Sequence, residues 1–210
     1  MKTITEALMW RYATKQFDAT KIVPEETIHQ ILEAGRLSPS SFGLQPWKFI
    51  LVENKDLRLK LKEAAYNQPQ VIDASHMLVL AYKNTVDEAY IDTYMQSVAE
   101  ARSISVEDLA GFKGAIMGSI AGKPSDALAV WNSRQVYLPL GIMLEAAALL
   151  EVDACPMEGF DTAKFNEILG LNEIGYSSVA MMTIGYRADT DTTAGAAKSR
   201  FPLGEVVIRK

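Results

Sequence analysis

SPSSFGLQPWKFILV, residues 38–52, joins an amphipathic segment on its N-terminal side to an apolar run on its C-terminal side. Upstream, Ile28, Ile31, Leu32 and Gly35 recur at the spacing of one helical face. Pro24, Glu25 and Glu26 suit the first turn of that helix, with Pro24 as its first residue, and Pro39 ends it. Downstream, residues 48–53 have strand character. The connection carries Ser38, Ser40, Ser41, Gly43 and two prolines, with no charge before Lys48. Pro39 and Pro46 stiffen it while the serines offer hydroxyls and N–H groups. Such a loop suits a flat, partly polar ligand, and it reads equally well as a helix stop with a satisfied tryptophan.

Working outward, Thr3 and Glu6 have capping-box spacing and predict a helix over 4–10, and Asn54 caps another over 55–65. MLVLAYK, residues 77–83, has the unbroken apolarity of a strand buried on both faces. Residues 88–101 and 105–118 read as helices, the second capped by Ser105. The longest helix is expected over 125–150, then a strand at 152–156, a helix at 162–169, a strand at 178–186, a polar loop at 190–200, and a last strand at 205–209, EVVIR. Residues 136–150, interrupted by Pro139, Gly141 and Glu145, read as a helix buried nearly all round, the axis of a core or of a subunit interface. Alternating helices and strands point to an α/β or α+β chain with a mixed central sheet flanked by helices. With 210 residues and no linker or repeat, one domain is expected.

The totals exclude several classes. A net charge of −5 argues against nucleic acid or anionic membrane as a partner. The single cysteine, Cys155, rules out an intrachain disulfide and Cys-rich zinc sites, and fits a cytoplasmic protein. No apolar run is long enough to span a bilayer, and no signal peptide opens the chain. There is no GxGxxG, Walker loop, HExxH or GxSxG, and no metal site is expected. His29 and His76 read as structural. If the protein is an enzyme, a cofactor carries the hard chemistry.

What chemistry the chain does offer lies in three places. Arg11 and Lys15 in RYATKQF, and Lys198 and Arg200 in KSR, form two cation pairs far apart in sequence. Each alone suits a solvated surface; together they can converge on one anion, such as a phosphate. PMEGF, residues 156–160, ends a buried strand, where Gly159 lets the backbone approach a ligand, or simply turns toward a helix capped by Asp161. In NQPQVIDASH, residues 67–76, Asn67 is able to pair with a heterocycle or to cap its own loop.

RYATKQF (11–17), SPSSFGLQPWKF (38–49), NQPQVIDASH (67–76), WNSRQVYL (131–138), PMEGF (156–160) and KSR (198–200), in this order, make the chain resemble the nitroreductase family of FMN-dependent NAD(P)H oxidoreductases, in particular the oxygen-insensitive enterobacterial type. The resemblance covers nearly the whole length and is weakest at 84–125, where the family has a mobile helical excursion over the active site. It implies an α+β nitroreductase fold in an intertwined homodimer with two interfacial FMN sites. By resemblance, Arg11, Lys198 and Arg200 surround the FMN phosphate and ribityl chain, with Tyr12 and Ala13 beside them. Lys15, Asn67 and Gln70 lie at the pyrimidine edge. Pro156 and Met157 lead to the Glu158 and Gly159 N–H groups facing flavin N5 and O4. Pro39, Ser40, Ser41 and Gln135 reach in from the other subunit. Two positions depart from the enterobacterial type: Ala13 stands where it has serine, and Gln70 where it has lysine.

The activity implied is hydride transfer from NAD(P)H through flavin N5 to a small electron-poor acceptor such as a nitroaromatic or a quinone, with no essential catalytic side chain. The alternatives are another reaction of the family (dihydropteridine or enoyl reduction, dehalogenation) and a flavin-binding protein without turnover.

Overall fold

The computed structural model describes residues 2–210. Thr3 and Glu6 form the reciprocal capping box that starts α1 (Ile4–Trp10). The second helix, α2 (Glu25–Arg36), begins one residue after Pro24, which caps it rather than joining it. Strand β1 (Trp47–Val52) follows the 38–46 loop, and Asn54 accepts from the Leu57 N–H to open α3 (Lys55–Ala64). A single turn, α4 (Gln70–Asp73), leads into β2 (His76–Lys83). The 84–125 region forms α5 (Glu88–Arg102) and α6 (Ala110–Ile120). Then come α7 (Ser125–Leu149), β3 (Asp153–Met157), α8 (Thr162–Ile168) and β4 (Tyr176–Gly185).

The fold is α+β. The strands lie in the order β1-β2-β4-β3. All three ladders are antiparallel, so the expected mixed sheet carries a parallel element only at the isolated Ala13–Ala154 bridge. Side chains of β2 alternate between two cores. Leu78 and Leu80 face Ile28 and Ile31 of α2 and Val136, Leu140 and Met143 of α7. Met77 and Val79 face Leu61 of α3 and Phe165 of α8. That double burial is why the strand is apolar throughout. Gly35 lets α2 approach α7: a Cβ there would stand 2.7 Å from Met143 Sδ and 3.1 Å from Phe49.

A third core belongs to the 84–125 region. Ile91, Met95 and Val98 of α5 and Ile116 and Ile120 of α6 enclose Leu44 of the 38–46 loop and Leu128 of α7.

Two expectations are corrected. Helix α7 is not buried all round. Leu128, Asn132, Val136, Leu140, Met143 and Ala147 form one buried stripe, while Val130, Tyr137 and Leu138 are exposed. The expected strand at 205–209 does not form either. Residues Leu203–Val206 make one helical turn, α9, and the rest is irregular and exposed. A short apolar run such as Val206–Ile208 is no strand until a sheet edge takes its backbone groups, and none does so here.

Candidate active site

The 11–17 segment lies along β3, the edge strand of the sheet. Ala13 bridges Ala154, and Phe17 bridges Arg187 just beyond β4. Asp191 then locks this segment to the 188–200 loop. Its carboxylate accepts the Lys15 N–H at 2.8 Å, the Gln16 N–H at 3.1 Å, the Thr193 N–H at 2.9 Å and the Tyr12 hydroxyl at 2.9 Å. Burial alone would raise its pKa, but these donors outweigh that and hold it at about 2. Burial and the bond to Asp191 push the Tyr12 hydroxyl up to about 12. Arg187 stacks over Trp10 and Tyr12, 4.4 and 4.6 Å from the ring centroids, and pairs with Asp153.

That lock brings Arg11, Lys198 and Arg200 to one cavity of about 450 Å³, which Tyr12, Ala13 and Trp10 also line. Burial and the neighbouring Arg200 lower the pKa of Arg11; burial, Arg11 and Arg200 lower that of Lys198. No ion pair to Arg11, Lys198 or Arg200 exists among the described residues. Lys198 donates instead to the carbonyls of Leu8 and Arg11. Cations gathered with no counter-charge repel one another and desolvate at a cost. An anion in the cavity relieves both.

Lys15 is exposed and unpaired among the described residues, and with Arg11 it acts on the buried Cys155 thiol of β3, whose pKa burial raises. At the end of β3, Pro156 is half-buried and the Met157 side chain is packed into the core, so these two contribute backbone rather than side chain to the surface. Glu158 and Gly159 are exposed, and no described protein acceptor takes either N–H. A Cβ on Gly159 would meet only Gln68 Nε2, at 3.5 Å. Neither crowding within the chain nor a left-handed φ demands glycine there, so the backbone of this turn is open to approach from outside. Gln68 Nε2 donates to Gly159 O at 2.6 Å and so draws the 67–70 segment to this turn. Within that segment Asn67 is exposed at φ 59, and Gln70 is buried with Oε1 unpartnered. Thr14 Oγ1 is likewise buried and unpartnered.

The remaining predicted residues form a separate group. Ser41 N–H donates to Gln135 Oε1 at 2.8 Å, and Ser40 Oγ accepts the Gln45 N–H at 2.9 Å. Pro39 lies in the same loop. None of Pro39, Ser40, Ser41 or Gln135 lines the cation cavity, and no described hydrogen bond joins the two groups. Residues the sequence did not single out are Asp191, Gln68, Tyr137 and the tyrosines of α5. Tyr137 donates to Glu158 Oε1 at 2.8 Å. Tyr94 donates to Phe42 O at 2.8 Å, and the Tyr90 hydroxyl reaches the Leu44 and Gln45 carbonyls, each at 2.9 Å. Tyr137 and Gln68 stood inside quoted motifs; Asp191 and the tyrosines of α5 left no spacing signal.

The α+β scaffold thus sets a cavity lined by Arg11, Lys198 and Arg200 near one end of β3 and the free N–H groups of Glu158 and Gly159 just past the other. The chain belongs to the nitroreductase family, whose profile matches residues 8–186. A Staphylococcus haemolyticus relative, provisionally named an NAD(P)H nitroreductase, is 39% identical over 198 residues, 90% of each chain. Among solved structures, a Staphylococcus epidermidis protein provisionally named an NAD(P)H:FMN oxidoreductase superposes with a TM-score of 0.88 at 21% identity, over 100% of this chain and 97% of that one. An Exiguobacterium sibiricum protein provisionally named a nitroreductase, solved in complex with FMN, gives 0.87 at 23% identity, over 100% and 98%.

Proposed function

We propose that the protein is an FMN-dependent oxidoreductase that takes hydride from NAD(P)H and delivers it to small electron-poor acceptors such as nitroaromatics or quinones. The observation that carries this reading is the cradle of Arg11, Lys198 and Arg200, in which described carboxylates pair with none of the cations. Bound FMN would supply the two-electron chemistry at its N5, which no side chain here supplies. The three cations hold its phosphate, each charge-assisted bond contributing roughly 1.5–3 kcal/mol. Lys15 favours negative charge at the pyrimidine edge, with Asn67 and Gln70 beside it as amide partners. The unpartnered N–H groups of Glu158 and Gly159 fix the hydride-transfer end, as preorganised donors.

Pro39, Ser40, Ser41 and Gln135 complete the site from the partner in a homodimer. Their separation from the cation cavity supports this, as does exposed apolar surface on Ile4, Leu8 and Met9 of α1 and Val130 and Leu138 of α7. The 84–125 region covers the acceptor's side of the site. No helix of the described residues is long and apolar enough to cross a membrane.

The test is direct. Purified protein supplied with FMN and freed of excess is expected to be yellow, at one FMN per chain. NAD(P)H without oxygen should bleach it, and a quinone should restore the colour. A preparation that stays colourless refutes FMN binding; a yellow one that NAD(P)H cannot bleach is a flavin binder without turnover.

A further inference from the structure

The turn that leaves β3 is tight and thinly held. Phe160 N–H donates back to Glu158 O at 2.9 Å, closing a three-residue turn centred on Gly159. Gly159 is exposed, and its missing side chain leaves its backbone free to rotate. Two ties run from this turn to the chain before α4. Asp161 N–H donates to Ala64 O at 2.9 Å, and Gln68 Nε2 donates to Gly159 O at 2.6 Å. The same Nε2 donates to Ala65 O at 3.0 Å, so both of its hydrogens have a carbonyl partner. Gln68 is itself firmly set. Tyr66 and Asn67 before it hold left-handed φ values of 55 and 59, its own N–H donates to Ala65 O at 3.1 Å, and Pro69 follows.

We propose that Gln68 is a positioning residue for the reaction: its carboxamide anchors the Gly159 carbonyl and thereby keeps the Glu158 and Gly159 N–H groups aimed at the bound cofactor. The inference rests on the FMN reading above and deepens it. Nothing else in the described hydrogen bonding restrains the Gly159 carbonyl. Removing the anchor frees one glycine torsion without opening the core, because Gln68 is only half-buried. The side chain must also donate to the Gly159 carbonyl, for which one hydrogen is enough. Alanine donates nothing, and a carboxylate would set negative charge against two carbonyl oxygens.

The experiment uses FMN-loaded full-length protein and follows anaerobic bleaching by NADH in a single turnover, alongside FMN affinity and thermal midpoint. Gln68→Ala is expected to slow bleaching about 10- to 100-fold, the scale of a misplaced reacting group, while affinity and midpoint move far less. Gln68→Glu adds a signature that a fold-supporting role lacks. Facing two carbonyls, its carboxyl has a raised pKa and donates only when protonated. Its bleaching rate relative to wild type should therefore climb as pH falls from 8 to 5. Wild-type bleaching rates in loaded Gln68→Ala, or a pH-independent ratio for Gln68→Glu, overturn the proposal. If Gln68→Ala does not fold, the Gln68→Glu profile decides alone. A wild-type protein that binds no FMN removes the underlying reading and the proposal together, whereas yellow variants with wild-type rates remove only the proposal.

Discussion

Arg200 and Asp191 divide the work of the cation cradle between gripping and building. Arg200 is exposed, and its side chain donates only to the neighbouring Ser199 carbonyl, so little of the fold depends on it. Arg200→Ala should weaken FMN about 10- to 150-fold, one charge-assisted bond. Riboflavin, lacking the phosphate, should bind as before, and equal losses by fluorescence titration would make Arg200 a fold residue. Asp191 is 5% exposed and works the other way round. Its folded pKa of about 2 lies below the unfolded value near 3.9. A depressed carboxylate stabilises the fold above its unfolded pKa and loses that contribution as pH falls through the folded one. Roughly 2–3 kcal/mol should therefore disappear between about pH 5 and pH 2. Asp191→Asn should be less stable than wild type at pH 7, and the gap should narrow toward pH 2. Urea melts across that range check it; a gap that stays constant would show that the carboxylate's charge is not what holds the 12–16 segment.

The elements that place the site were legible where their signal is local. Thr3, Asn54 and Asp161 each accept from the helix they precede, so their caps marked α1, α3 and α8 within the sequence. Arg11, Lys198 and Arg200 were legible as cations, but their convergence depends on Asp191, one of two acids in a small polar loop with no motif to single it out. The link between α5 and the 38–46 loop was equally hidden. Tyr90 and Tyr94 stand four apart on one helix face, but the carbonyls they bind lie 45 to 52 residues away. That link holds a strained stretch: Phe42, Gly43 and Gln45 all have positive φ, at 56, 74 and 50. Such backbone persists only when its surroundings over-determine it. A Cβ on Gly43 would lie 2.4 Å from the Tyr94 hydroxyl and 3.4 Å from the ring carbon that bears it. Gly43→Ala should thus cost about 1–2 kcal/mol of left-handed strain plus the Tyr94–Phe42 bond. Tyr94→Phe removes both the bond and the clash, so in that background Gly43→Ala should cost only the strain. A double-mutant cycle should show coupling of about 1 kcal/mol. Additive effects would mean that Tyr94 swings aside freely and does not clamp the loop.

At the scale of the molecule, one chain leaves a run of apolar side chains uncovered. Phe201 is 77% exposed and Ile208 82%, with Leu203, Val206 and Val207 also open to solvent, in and just before the stretch expected to be a last strand. The sequence pattern was sound as a request for burial and wrong about where burial comes from, since nothing in the chain itself covers these residues. Single exposed apolar residues are ordinary; a run of them in one tail, in a chain that also exposes apolar residues of α1 and α7, fits an interaction surface. On the function proposed above the occupant is a second copy, which would also bring Ser40, Ser41 and Gln135 to the cofactor. The wild-type chain of 23.1 kDa should therefore sediment at twice its mass, with well above roughly 2,000 Å² buried in total, the range of obligate interfaces. Ending the chain after Phe201 keeps Arg200 and deletes Leu203, Val206, Val207 and Ile208. If the tail embraces the partner, the truncated protein should dissociate at micromolar concentration and lose FMN in step, because each site then lacks its second wall. Sedimentation and flavin absorbance on the same samples separate the outcomes. A truncated chain that stays dimeric and yellow would place the interface on α1 and α7 alone. A monomer that still holds FMN tightly would refute the shared site altogether.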